Sequence, residues 1–439
     1  MYRRLSAPLS VQLEVTGECT SECLHCYNFW RNAGDRSLRT IPSGALSREN
    51  ATTIIQKIGA AGIFGLTITG GEPLLNYSVT LASLTLARSL DMAVSLNSNL
   101  VLLTPDKAAG LRQAGLANVL TSILGPTPEI HDSITQRKHS FDKLIAGIVA
   151  AQGADISVSA NMVVSRHNYR YVRETAAVVA GLGIKKFMAT KAGCPGNCSD
   201  FSELALSRSQ FVKVLNDLCW VHETLGLKVD TLEPIPFCGM NEVGRPELFA
   251  SRRCHAGVTT AAVSYDGSVR PCPHLDVSYG NLLGEDLSTI WTRMDPWCQG
   301  VHVPPECSQC AIFRICGGGC RMEGKTSTGR LDGLDPFTSI DHSAEMTERI
   351  RLFQKPFERV AVRRFKTPRF RLRRESFGGV LASGNTHVFL DEKGFGVVSQ
   401  LKPGAVYDLA GTDIDWNGLS PEKFVSGLLH RNAVSAITD

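Results

Sequence analysis

Residues 11–16 (VQLEVT) alternate apolar and polar side chains and are rich in β-branched residues, the pattern of a strand with one buried face. A helical period follows over 47–61, then a short apolar run at 66–69 that ends in Gly70-Gly71. The alternation continues with helix 78–90, strand 92–96, helix 105–114, strand 118–123, helix 139–151, strand 156–164, helix 168–182 and strand 184–189. Strands separated by helical patterns make βαβ units, which pack as a parallel sheet covered by helices. Six such units predict an α/β partial barrel with its site at the C-terminal ends of the strands. From about residue 230 the periodicity fades, elements shorten, and Gly, Pro and Cys become frequent. Residues 346–366 are helical and then basic, while 370–373, 378–382 and 386–390 read as strands and 420–430 as a helix. The predicted divisions are a barrel over 1–220, a cysteine-rich extension over 221–345, a basic helix and linker over 346–367, and a small α+β domain over 368–439.

Composition adds constraints. The chain has 439 residues, with 43% hydrophobic and 20% charged, which suits a globular protein with a sizeable core. A net charge of +4 does not make the whole molecule a polyanion binder. The longest apolar stretch, 144–164, is interrupted by Gln152, Asp155, Ser157, Ser159 and Asn161, so no membrane span is expected. Arg3 and Arg4 are followed by no apolar segment of the signal-peptide kind, which points to the cytoplasm.

The chain carries 14 cysteines, and 11 of them fall within 19–26 and 238–320. Disulfides are rare in a reducing compartment, so such clustering favours ligation of a metal or an iron–sulfur cluster. Cys19-x3-Cys23-x2-Cys26 follows the first predicted strand. Three thiolates hold three irons of a [4Fe–4S] cluster and leave one iron open, since such clusters take four cysteines when saturated. A zinc knuckle is the plainer reading of three cysteines alone. One strand later comes Gly70-Gly71-Glu72-Pro73, where glycine permits close backbone approach and Glu72 can accept hydrogen bonds from an ammonium.

Together these two motifs resemble the radical SAM superfamily. The resemblance implies that the open iron chelates the methionine part of S-adenosylmethionine (SAM). One electron from the cluster then cleaves SAM to methionine and a 5′-deoxyadenosyl radical, which abstracts hydrogen from carbon. By resemblance, Gly70, Gly71, Glu72 and Pro73 hold the SAM ammonium, and Ser98-Asn99 and Ser122 end the next two strands as further cofactor-binding residues. Ordinary strand-end turn chemistry is the alternative for Asn99 and Ser122. The run Ser122-Ile-Leu124-Gly125…His131-Asp132 looks like a family segment in which Leu124 replaces an Asp. His25 occupies a position that often carries an aromatic ring. The likeness covers about 9–215.

Residues 238–320 resemble the SPASM extension of radical SAM peptide-modifying enzymes, carried by Cys254…Gly267…Cys272 and by Cys307-x2-Cys310-x5-Cys316-x3-Cys320. The resemblance implies two auxiliary [4Fe–4S] clusters, three clusters in all. It places Cys238, Cys254, Cys272 and Cys320 at the first auxiliary cluster and Cys307, Cys310 and Cys316 at the second. A further cysteine is expected after Asp335-Pro336-Phe337, but Thr338 stands there. Asp335, Asp341 or His342 then fills the fourth site, or it is open. Structural zinc is the plainer alternative. Cys194 and Cys198 read as loop thiols with a possible role at the site face; Cys219 and Cys298 read as packing residues.

Between Arg349 and Arg374 lie 11 Arg and Lys residues, a run able to bind nucleic acid or an acidic peptide, or simply a solvated face. Residues 368–432 resemble the small winged-helix-like domain that recognises leader peptides in ribosomal peptide pathways. There an extended peptide adds to an exposed sheet edge. The combined expectation is a radical SAM enzyme that crosslinks a ribosomally made precursor peptide through a carbon–carbon, aryl ether or thioether bond, with a lean to an aromatic crosslink. Its expected partners are the leader-bearing peptide and an electron donor such as flavodoxin or ferredoxin. Nucleic acid is not expected, because the basic run is local. The rivals are an anaerobic sulfatase maturase forming formylglycine and a non-catalytic peptide-binding iron–sulfur scaffold.

Overall fold

The computed structural model describes residues 2–28, 43–194, 200–250, 252–353, 362–384 and 386–437. The chain forms two compact units, Met1–Arg351 and Leu352–Asp439. In the first, strands β1 (Ser10–Glu14), β2 (Gly65–Thr69), β3 (Ala93–Asn97), β4 (Asn118–Ser122), β5 (Ser157–Val164) and β6 (Lys186–Lys191) lie side by side in chain order and pair in parallel. Every strand start lies within two residues of the periodicity reading. The apolar faces are the reason: Leu13, Ile68, Leu96 and Ala160 are wholly buried, so a one-residue slip would turn each to the wrong side.

The helices between the strands begin where the sequence supplies caps. Ser47 accepts from Asn50 N–H at the start of Arg48–Ala60, and Thr104 caps Pro105–Gln113 ahead of a proline at the first position. Helix Arg208–Leu225 opens with a Ser207/Gln210 capping box and stops at Gly226, whose φ of 65° is left-handed. Helix Pro128–Thr135 has no counterpart in the sequence reading, where it is hidden in a polar, turn-rich segment.

The sheet is larger than six strands. β7 (Lys228–Asp230) extends it beyond β6, and β8 (Thr260–Val263) and β9 (Val269–Arg270) extend it beyond β1, giving the order β7-β6-β5-β4-β3-β2-β1-β8-β9. β8 runs parallel to β1, with Ser10 opposite Thr260, and β9 returns antiparallel. The cysteine-rich extension thus completes the barrel sheet, and one core runs from Leu13 and Ile68 to Trp291, Met322 and Met346. A buried ion pair locks the junction: Arg270 on β9 meets Glu14 on β1 at 2.8 Å, and Ser264 donates to the same carboxylate.

The second unit has two three-stranded antiparallel sheets. One joins β10 (Arg364–Lys366) to β14 (Val406–Asp408) and β15 (Ser435–Ile437); the other runs β11 (Arg371–Glu375), β12 (Gly378–Ser383), β13 (Thr386–Leu390). Helices Glu392–Val398 and Pro421–His430 cover a separate core around Phe365, Leu381, Leu390, Val398 and Leu428. The stretch read as basic helix and linker divides between the units. Met346 and Ile350 pack into the first core, while Arg364–Lys366 is a strand of the second. Of the basic run Arg349–Arg374, Arg349 donates to the carbonyls of Asn241 and Val243, and Arg374 pairs with Glu392.

Candidate active site

Cys19, Cys23 and Cys26 lie on the loop leaving the C-terminal end of β1. Two clamps fix that loop. On one side, Gly71 N–H donates to the Thr16 carbonyl and Glu72 N–H to the Glu18 carbonyl, both at 2.7 Å. A side chain at Gly70 would strike Thr16 O at 2.5 Å, and one at Gly71 would strike the Glu18 carbonyl. The close approach expected between these glycines and a ligand is therefore, first, an approach to the chain's own cysteine loop. On the other side, Glu22 and Leu24 donate to the carbonyls of Thr135 and Ile134, each at 3.0 Å, at the end of helix Pro128–Thr135. Cys26 N–H closes a turn onto Cys23 O at 3.0 Å.

The thiols sense each other. Burial and then the Cys26 and Cys19 charges push Cys23 well above its usual value. Burial and then Glu72 push Cys19 up to about 12. Buried thiolates this close are unfavourable without a positive counter-charge, and metal ligation requires deprotonated thiols. The set fits iron.

Glu72 is fully buried, and burial raises its carboxyl above the usual range. It accepts from Ser98 O–H at 2.7 Å, Asn99 N–H at 2.8 Å and Leu74 N–H at 2.9 Å. Its carboxylate thus ties the ends of β2 and β3 together. Asn99 then reaches the cysteine loop: its amide donates to Thr20 Oγ1 at 2.8 Å and stands 3.9 Å from Cys19 Sγ. Ser122 ends β4 opposite Asn161, whose Oδ1 accepts from Thr190 at 2.7 Å. Asn161 and Thr190 were not singled out as site residues; a buried asparagine inside the apolar run Ser157–Val164 was the available signal.

Leu124, standing where an acid was expected, is buried and gives its N–H to His131 Nδ1 at 3.1 Å. Asp132 accepts from Ser140 O–H and from the N–H groups of His139 and Phe141. This segment folds the chain locally. Burial lowers both His25 and His131 to about 4, so both rings are neutral. Tyr27, next to Cys26, stacks on His274 with ring centres 4.6 Å apart, joining the first cysteine loop to the second cysteine zone.

The seven downstream cysteines differ in which thiols lie near them. Cys320 lies in the fields of Cys254 and Cys272, and Cys272 in that of Cys254. Cys238 has other neighbours. Its thiolate neighbour is Cys310, and the charges of both act on Cys307 and Cys316. Backbone contacts agree: Phe237 N–H points at Cys316 Sγ at 3.4 Å, and Ser339 N–H at Cys238 Sγ at 3.4 Å.

Asp335 is buried and caps the N–H groups of Cys320 and Phe337, each at 2.9 Å. Asp341 is exposed, and His342 lies 3.5 Å from Glu345. Among the described residues no three His, Cys, Asp or Glu side chains gather tightly enough to hold a single metal ion. Cys194 is in a disulfide rather than free, and Cys198 lies outside the described residues.

One further feature escaped the sequence. Lys191, ending β6, is buried and meets Glu323 at 2.8 Å on the helix that begins just after Cys320. Its backbone N–H donates to Glu233, whose carboxyl burial pushes up to about 7. A lysine at the end of a buried strand was the signal.

The radical SAM superfamily model matches residues 13–179, and the SPASM model, an iron–sulfur cluster-binding domain, matches 254–311. The chain thus carries a radical SAM domain and, after it, a SPASM domain. Among its relatives is an AdoMet-dependent heme synthase of Methanosarcina barkeri, 27% identical over 77% of this chain and 98% of that protein. Another is the mycofactocin maturase MftC of Mycolicibacterium smegmatis, 27% identical over 81% of this chain and 88% of that one. The solved structure of native anSMEcpe with bound AdoMet and Cp18Cys peptide shares the fold, with TM-score 0.61 and 19% identity over 79% of this chain and 98% of that one.

In a radical SAM protein the cluster and SAM supply a carbon radical; the protein orients the reactants and excludes water. Here Cys19, Cys23 and Cys26 would hold the cluster. The Gly70–Pro73 turn and Asn99 fix the loop that carries them.

Proposed function

We propose that this protein is a peptide maturase that uses a SAM-derived radical to install an intramolecular crosslink in a ribosomally made precursor. The observation that carries the reading is the union of a radical SAM site and SPASM cysteines with a separate C-terminal unit whose sheet has an unpaired edge. Among the described residues β13 pairs only with β12, so its outer side offers backbone groups to an extended peptide. Likeness to a mycofactocin maturase supports it. An electron donor of the flavodoxin or ferredoxin class completes the partners, since SAM cleavage consumes an electron. Among the described residues no helix is long and apolar enough to cross a membrane.

The matches to AdoMet-dependent heme synthases favour a second reading, a step in making heme. Those alignments cover 74% and 77% of this chain, and that reading gives the C-terminal unit no task. Anaerobic incubation of the reduced enzyme with SAM and the peptide encoded beside its gene decides between them. A mass loss of two hydrogens, with 5′-deoxyadenosine released, is expected for a crosslink. An unchanged peptide beside heme formed from a heme precursor would overturn the proposal. Removing the second unit by cutting within 354–361 should weaken leader binding and spare uncoupled SAM cleavage. A cut at 368 would instead separate β10 from β14 and β15.

A further inference from the structure

Thr338 leaves the second auxiliary set one thiolate short if its ligands are sought only downstream of Cys320. A sulfur from upstream, that of Cys238, lies beside this loop. Phe237–Met240 forms a single tight turn against the loop 335–339 and the turn Ile340–His342. The approach depends on Gly239: any side chain there would collide with the Phe337 carbonyl. The turn is held from behind as well, because Arg349 donates to the carbonyls of Asn241 and Val243.

Two backbone N–H groups mark where the sulfurs sit. Phe237 donates toward Cys316 Sγ and Ser339 toward Cys238 Sγ, both at 3.4 Å. Cys238 therefore sits one residue from a group that touches Cys316, and it receives a hydrogen bond from the residue after Thr338. The loop that lacks the expected cysteine gives Cys238 an N–H donor instead. N–H donors to cluster sulfurs are among the features that set cluster potential.

We propose that Cys238 is the fourth thiolate of the cluster held by Cys307, Cys310 and Cys316. The ligand set is then complete, with one sulfur supplied from the segment before the SPASM motif rather than after it. The other set keeps three thiolates, Cys254, Cys272 and Cys320. This rests on the reading of all seven cysteines as cluster ligands. It also assigns that second cluster to electron transfer, because an iron with no free position cannot chelate a substrate.

The test isolates each auxiliary cluster in the full-length protein. All variants carry Cys19, Cys23 and Cys26→Ala. One background adds Cys254→Ala and Cys272→Ala, leaving the Cys307 set; the other adds Cys307→Ala and Cys310→Ala, leaving the Cys254 set. Each should bind about four irons after anaerobic reconstitution, on the basis of four per cluster. If neither binds iron, the cluster reading itself fails, and the proposal with it. Cys238→Ser is then added to each. The expected result is a loss of about half or more of the iron, or a changed reduced-state EPR signal, in the first background only. A change confined to the second, or no change in the first, overturns the proposal. A version with fewer substitutions guards against misfolding: Cys238→Ala alone, and the same change with Thr338→Cys. Cys238→Ala should fall from about twelve irons toward eight, and Thr338→Cys should restore them. About twelve irons with an unchanged spectrum in Cys238→Ala would overturn the assignment.

Discussion

Replacing Gly71 by alanine tests whether the Gly-Gly turn serves the cysteine loop. The added methyl would lie well within 3.0 Å of the Glu18 carbonyl, a distance Cβ atoms do not tolerate. Backbone stands on both sides, so no rotamer can relieve the overlap. The two segments must part by about an ångström to regain ordinary carbon–oxygen contact. That displacement takes both bridging hydrogen bonds, Gly71 to Thr16 and Glu72 to Glu18, from 2.7 Å to beyond hydrogen-bonding distance. Two lost bonds at ~0.5–1.5 kcal/mol each, with residual strain, give a loss of about 2–4 kcal/mol. Cys19 adjoins Glu18 and moves with it. Urea unfolding under argon would measure stability, and iron analysis would count clusters, expected to fall from about twelve irons to about eight as the first cluster is lost. Gly181→Ala is the control, since an added methyl there meets nothing within 4 Å. It should be neutral or slightly stabilising. Wild-type stability and iron content in Gly71→Ala would refute the reasoning.

Lys191→Met should cost on the order of 3 kcal/mol, because it removes the buried cation from the half-buried Glu323 carboxylate; a urea midpoint close to wild type would show that this pair does not hold the barrel end to the Cys320 helix. Glu233 releases its proton near pH 7 when folded, against 4.5 ordinarily. The folded chain thus binds more protons than the unfolded one across that window, and the group's contribution to stability falls as pH rises through it, levelling off above. Glu233→Gln should remove that fall, so the stability difference between wild type and variant should change between pH 5 and 7.5; a constant difference would count against it. Thr338→Cys in otherwise wild-type protein should leave iron content and auxiliary-cluster potential unchanged, as Cys238 already fills the fourth position; a shifted potential would argue that the position was open. Glu72→Gln places an amide N–H against either Asn99 or Leu74 N–H, so the protein without SAM should lose ~1–3 kcal/mol. Unchanged stability there would mean that the carboxylate serves only the cofactor.

The sequence by itself determined the elements and the motifs of the first cysteine loop. Strand and helix periods are local properties, so β1 to β6 and most of their helices were readable from apolar spacing. The first cysteine loop and Gly70–Pro73 were readable because each is a short contiguous motif with its own chemistry. What needed the folded chain was every pairing across long separations. Nothing local in Thr260–Val263 says that it lies beside β1, and nothing in Arg270 names Glu14 as its partner. Lys191 and Glu323 are separated by more than a hundred residues and meet only because the extension folds back over the end of the barrel. Cys238 is the sharpest case. Order along the chain puts it beside Cys254, yet the turn at Phe237–Met240 and the absence of a side chain at Gly239 set it one residue from the N–H that meets Cys316 Sγ. Spacing records how far apart residues are along the backbone. Which thiols face one another depends on loop packing, and that is decided only when Gly239 meets Phe337 and Arg349 closes over Asn241.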